Sequence, residues 1–142
     1  ARVIAIDTSV LVDYIGGSGA AAESAEAALR DALSAGPVVA CEVVLSEVVA
    51  GLGHSDIVIE TLEAVGVSFL PMELRAAVRA GEMQRRYKDR LRSGKEPAQV
   101  RRTIPDFLIG AHALLQCQGL ITRDAGFYRD YFKGLKVIVP TA

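Results

Sequence analysis

A chain of 142 residues with 51% hydrophobic and 23% charged residues has globular composition and room for one domain spanning 1–142, which would bury about 70% of the surface its unfolded form exposes. That composition excludes a disordered or low-complexity chain. The formal net charge is −1 but unevenly spread: from Arg75 to Arg102 ten Lys/Arg accompany three Asp/Glu, a local charge of +7, and the remainder carries −8. Both a polyanion-binding surface and a solvated helix face fit this asymmetry.

The longest apolar stretch, "PVVACEVVLSEVVAGL", is interrupted by Glu42 and Glu47, and is too short and too charged to span a bilayer. No signal-peptide pattern opens the chain, and Ala1 is read as a trimmed or engineered start. Cys41 and Cys117 sit in apolar segments, outside any metal or redox spacing, and are expected as buried reduced thiols. The expected compartment is the cytoplasm.

In chain order, Val3–Ile6 reads as a short, fully buried strand. "TSVLVDYI" follows as a helix broken by "GGSG", and "AAAESAEAALRDALSA" is a second helix ending at Gly36-Pro37. Val38–Cys41 is the second strand, followed by a helix to about Gly51. "DIVIETLEAV" is another helix with Asp56 as its cap, and "VSFLP" a third strand stopped by Pro71. A basic helix is expected from about Met72 to Leu91, then the polar connector "SGKEPAQVR" and an apolar helix from Pro105 to Cys117 ended by Gly119. "LIT", "AGFYRDYF" and "LKVIV" complete the order as strand, helix and strand. Strands alternating with helices imply parallel pairing, right-handed crossovers and a layered α/β domain. In such a sheet, ligands bind along the edge where the strands end and the next helices begin.

Four carboxylates fall at that edge. Asp7 ends strand one, Glu47 lies in the helix after strand two, Asp106 opens the apolar helix, and Asp124 follows strand four. Asp7, Asp106 and Asp124 each also suit helix capping, Asp106 standing three residues after Thr103. Glu47 is too far into its helix to cap. Leu45, Val48, Val49 and Leu52 mark the apolar stripe it points away from, and solvent exposure is its alternative reading. Two carboxylates ~4 Å apart repel by about 4 kcal/mol at an effective dielectric of about 20. A helix N-terminus offsets only about 0.3–1 kcal/mol per acid. A divalent cation would resolve the conflict, and an all-oxygen set without clustered His or Cys favours Mg2+ or Mn2+ over Zn2+. The hydroxyls of Thr8, Ser9 and Thr122 stand beside these acids as ligand holders or as local caps.

"IAIDTSVLVDYI", "SEVVAGL", "IPDFLIGAHAL" and "LITRDAGFYRDYF…LKVIVP" resemble the successive signature blocks of the PIN-domain ribonucleases, in order and spacing over nearly the whole chain. The subgroup they look most like is the VapC-type toxins of bacterial and archaeal toxin–antitoxin pairs. The resemblance implies a three-layer α/β/α sandwich with a central, mainly parallel sheet and metal-dependent RNA cleavage. It makes Asp7, Glu47, Asp106 and Asp124 the acidic quartet, with Thr122 a neighbouring polar position. Ser9 departs from the pattern, since many relatives have Asn there. The resemblance also implies a homodimer silenced by a small cognate antitoxin.

The expected reaction is hydrolysis of an RNA phosphodiester by water activated on one or two Mg2+ or Mn2+ ions, held mainly by Asp7, Asp106 and Asp124. Glu47 completes the coordination through water or orients the nucleophile, and 5′-phosphate and 3′-hydroxyl ends follow from the resemblance. Arg79, Arg85, Arg86, Lys88, Arg90, Arg92, Arg101 and Arg102 are candidate phosphate contacts. The alternative is an exposed helix face with pairs such as Glu82–Arg86. A haloacid-dehalogenase-type phosphatase wants a second acid where Ser9 stands, and a receiver domain wants acids before Asp7. A non-catalytic RNA- or protein-binding module on the same fold is the remaining alternative.

Overall fold

The computed structural model describes residues 2–96 and 101–141. The elements are β1 (Ile4–Ile6), α1 (Thr8–Gly16), α2 (Gly19–Ala35), β2 (Val38–Ala40), α3 (Glu42–Leu52), α4 (Ser55–Val65), β3 (Val67–Phe69), α5 (Leu74–Arg92), α6 (Ile104–Gln116), β4 (Gly119–Ile121), α7 (Ala125–Tyr131) and β5 (Val137–Ile138). Every residue of β1, β2 and β4 is buried. Successive strand side chains point to opposite faces, so full burial means that both faces of the sheet are covered. The sheet is therefore the middle layer of an α/β/α sandwich, as the alternating element order implies.

The strands lie in the order β3-β2-β1-β4-β5, with every neighbouring pair parallel. β1 meets β2 on one side, Ile4 opposite Val38, and β4 on the other, Ile6 opposite Ile121. The chain first winds toward β3 and later returns to β4, so its direction of travel reverses between β1 and β4. A crevice opens beyond the strand ends at such a reversal. Asp7 and Thr122 are the first residues past β1 and β4.

Several expected boundaries move. β2 stops at Ala40, and Cys41 is the N-cap of α3. Asp56 is not a cap: His54 holds that position with φ 52°, and Asp56 lies in the first turn, where its charge faces the positive end of the helix dipole. α5 starts at Leu74 with Glu73 as its N-cap, and the Met72 N–H before it donates to Glu42 Oε1 at 2.9 Å. The apolar stripe of α3 runs through Val44 and Val48, which are fully buried, whereas Leu45, Val49 and Leu52 are only partly so. The connector "SGKEPAQVR" includes 97–100, which lie outside the described residues.

Aromatic packing joins the helices that carry two of the acids. The Phe107 ring lies 5.2 Å from Phe127, 5.6 Å from Tyr131 and 5.6 Å from Tyr87, within the range of favourable edge-to-face contact. Gly110 makes the close approach of α6 and Phe132 possible, since a Cβ there would stand 2.3 Å from that ring. Phe107 is next to Asp106 and Phe127 is one turn beyond Asp124, so this cluster fixes the starts of α6 and α7 together.

Candidate active site

Asp7 continues the β1–β4 ladder one residue past the strand, its N–H donating to the Ile121 carbonyl at 2.9 Å. The residue is only 8% exposed. One carboxylate oxygen accepts from the Thr8 N–H at 2.8 Å, capping α1, and the other from the Thr122 hydroxyl at 2.6 Å. Burial nonetheless pushes this carboxyl up to about 6 against those two bonds, with the charges of Asp106 and Glu47 adding to the rise.

Two threonines extend this arrangement in both directions. The Thr8 hydroxyl donates to Glu47 Oε1 at 2.7 Å across 39 residues of sequence. Glu47 is thus half-buried and engaged rather than free in solvent. Thr122 is fully buried, and its hydroxyl also accepts from the Asp124 N–H at 3.0 Å. A continuous hydrogen-bonded chain therefore links Glu47, Thr8, Asp7, Thr122 and the backbone of Asp124. Ser9 is exposed and takes no part in it.

Asp106 serves α6 as a capping-box acid, accepting from the Thr103 N–H at 3.0 Å. Asp124 stands at the N-cap position of α7 but makes no capping bond. Its carboxylate instead receives both terminal nitrogens of Arg102, Nη2 to Oδ1 at 3.1 Å and Nη1 to Oδ2. That guanidinium lies 4.3 Å over the Phe127 ring, and the Arg102 N–H donates to Tyr87 Oη at 3.0 Å. Arg102 is thus already engaged in this state. Arg101 is exposed, as is Arg86.

Other basic residues of α5 pair along their own helix: Arg79 with Glu82 at 3.7 Å and Arg85 with Asp89 at 3.6 Å. The expected Glu82–Arg86 pair is replaced by Arg79–Glu82, because residues three apart are as close on a helix as residues four apart. Arg90 reaches Glu96 and Asp130, both at 3.1 Å, and Arg92 joins Asp89. Tyr87 is a buried core ring. His112 is also buried, its Nε2 2.9 Å from the Leu70 carbonyl. Cys41 and Cys117 are buried free thiols.

Two residues escaped the sequence reading. Arg123 donates from Nε to Asp13 at 2.8 Å, and from Nη2 to the Ala21 carbonyl at 2.9 Å and to Ser24 Oγ at 3.0 Å. It ties the Thr122–Asp124 turn to α1 and α2. Tyr128 is buried, and burial raises its phenol well above the usual range, with the charges of Asp7, Asp106 and Asp124 adding to the effect. A single Tyr in an amphipathic helix carries no signal of this. Among the described residues, no three His, Cys, Asp or Glu side chains are close enough together to hold one ion.

An all-parallel α/β/α domain with carboxylates and threonine hydroxyls gathered at the β1–β4 reversal defines the class of this protein: an acidic-site α/β domain. The chain belongs to the PIN domain family, whose model matches residues 4–133. Among solved structures it is similar to VapBC2 from Rickettsia felis bound to a promoter DNA fragment, with TM-score 0.69 and 16% identity over 96% of this chain and 98% of that one. It is also similar to a toxin–antitoxin complex from Klebsiella pneumoniae, with TM-score 0.62 and 23% identity over 97% and 98% of the two chains. VapC20 from Mycobacterium tuberculosis, a Sarcin-Ricin loop cleaving toxin, has TM-score 0.61 and 17% identity over 94% and 98%. No curated protein sequence matches the chain significantly.

Proposed function

We propose that this chain is a Mg2+- or Mn2+-dependent endoribonuclease, the toxin half of a toxin–antitoxin pair, acting as a cytoplasmic homodimer and silenced by a small cognate antitoxin. The observation that carries the reading is the hydroxyl-bridged run from Glu47 through Asp7 to Asp124 at the β1–β4 reversal of a PIN domain. The toxin–antitoxin complex from K. pneumoniae and the loop-cleaving toxin from M. tuberculosis support the partner and the substrate class.

The chemistry of the donors, rather than the present spacing of the acids, fits a hard divalent ion. The donors are all oxygen, Asp7 carries a charge that burial and neighbouring carboxylates oppose, and a cation is already drawn to Asp124. Asp7, Asp106 and Asp124 would hold one or two ions. When bound, the ion supplies Lewis acidity to the phosphodiester and to the attacking water. Thr122 fixes the Asp7 carboxylate and the Asp124 backbone in one frame, and Thr8 orients Glu47 toward the same frame. Arg85, Arg86 and Lys88 on the exposed face of α5, with Arg101, would draw the polyanion in.

Cellular RNA-end sequencing with wild type and Asp7→Asn, beside an EDTA control on purified protein, tests this. Wild type is expected to generate new 5′-phosphate ends that the variant and EDTA abolish. Equal cleavage by both variants removes Asp7 from the mechanism, and binding without cleavage across a broad RNA panel favours a non-catalytic module.

A further inference from the structure

The four acids are not treated alike. Among the described residues, Asp7, Glu47 and Asp106 receive hydrogen bonds from neutral hydroxyls and backbone N–H groups, and of the four acids Asp124 alone receives a cation. On the strength of the metal-dependent reading above, we propose that Arg102 is the site's resident counter-ion, which holds Asp124 in the cation-free protein and competes with the divalent cation for that carboxylate.

The Arg102 side chain is 17% exposed, against 76% for Arg85 in its pair with Asp89. Arg90 and Arg123 are also partly buried in their pairs, at 33% and 30% exposed, but among the described residues Arg102 is the least exposed of the paired arginines. It is fixed at three points: its main-chain N–H on the hydroxyl of the buried Tyr87, its guanidinium over Phe127, and its two terminal nitrogens on the two oxygens of Asp124. A planar fork on a carboxylate satisfies both oxygens at once, with geometric specificity a single-point contact lacks. A divalent cation needs lone pairs from the same oxygens and repels the guanidinium beside them. Cation entry therefore requires Arg102 to turn away from Asp124, and the affinity of the site for metal includes the loss of that pair. The two cations are coupled negatively through one carboxylate.

Calorimetric titration of Mn2+ alone into wild type, Arg102→Gln and Arg102→Lys tests this without any nuclease assay. Arg102→Gln is expected to bind Mn2+ about ten-fold more tightly than wild type, inside the range usual for coupled sites. Arg102→Lys keeps the charge without the fork or the ring contact, and its affinity is expected to fall between the two. Equal or weaker Mn2+ binding by Arg102→Gln overturns the counter-ion role while leaving the metal-dependent reading intact. Failure of all three proteins to bind Mn2+ overturns both. Circular dichroism melting without metal establishes which variants fold, and if the glutamine variant does not, unchanged affinity in Arg102→Lys overturns the proposal.

Discussion

At the C-terminal end of the sheet, Asp7 and Thr122 are buried and bond each other across 115 residues of sequence, and Thr8 beside Asp7 bonds Glu47 across 39. Along α5, Arg79 is half-buried and Arg85 exposed, and their partners lie three or four residues away on the same helix. Like charges crowd together in both places. Where water is excluded, each acid must be held by a donor placed by tertiary structure, because an unpaired buried charge is costly. Where water is present, local pairing and solvation suffice, and each pair is worth about 1 kcal/mol or less. The two regions should therefore respond to mutation on different scales.

The largest effect is expected at Asp7. Asp7→Asn should lower RNA cleavage at least ~100-fold, as loss of an electrostatic site group typically does, and should also stabilise the cation-free protein. The sign follows from the raised carboxyl. With about 6 in the folded protein against 3.8 unfolded, the folded state binds more protons between about pH 4 and pH 6. Stability therefore falls as pH rises through that window, and the full cost, up to about 3 kcal/mol, is present above it. Thermal melting in EDTA from pH 4 to 8 checks this. The wild type should lose this increment across the window, and the variant should lack that loss.

Thr122→Val keeps the side-chain shape but removes the hydroxyl that Asp7 and the Asp124 N–H share. Denaturant unfolding should register about 1–3 kcal/mol of destabilisation, the usual cost of a buried polar group left unpaired. The Thr122 bond holds the Asp7 carboxyl down, so its loss moves the acid limb of the cleavage pH profile to higher pH. Arg123→Ala should cost less, about 1–2 kcal/mol, because its pair with Asp13 is partly exposed. An unchanged unfolding midpoint would show that the turn carrying Asp124 holds its place without this clamp.

The same contrast explains what was legible in the sequence. The element order and the sheet-edge position of Asp7 follow from hydrophobic periodicity and connection rules, which are local or topological. Glu47 could not be separated from an exposed residue, since its partner Thr8 belongs to another helix. Arg102 belonged to a run of basic residues and read as a phosphate contact, because nothing local announces a carboxylate 22 residues on. The contacts among Tyr87, Phe107, Phe127 and Tyr131 are likewise invisible until α5, α6 and α7 are packed. At Asp106, local pattern and structure agree on the capping box, and a cap position does not stop a carboxylate from serving a site as well.

The smallest stability effect, and the test that separates the regions most cleanly, belongs to α5. Arg85→Ala removes an exposed pair with Asp89 at 3.6 Å, so unfolding free energy should change by less than about 0.5 kcal/mol. If that side chain also meets a phosphate, its removal must appear elsewhere. Each phosphate contact releases condensed counterions, so the slope of log affinity against log salt should become shallower by about 0.7 for single-stranded RNA. Fluorescence anisotropy with an RNA oligonucleotide, in a background where cleavage is blocked by Asp7→Asn, measures that slope directly. An unchanged slope combined with unchanged stability would make Arg85 a solvated residue of the helix face. A shallower slope with unchanged stability would assign the charge on α5 to substrate attraction and the charge at the sheet edge to chemistry.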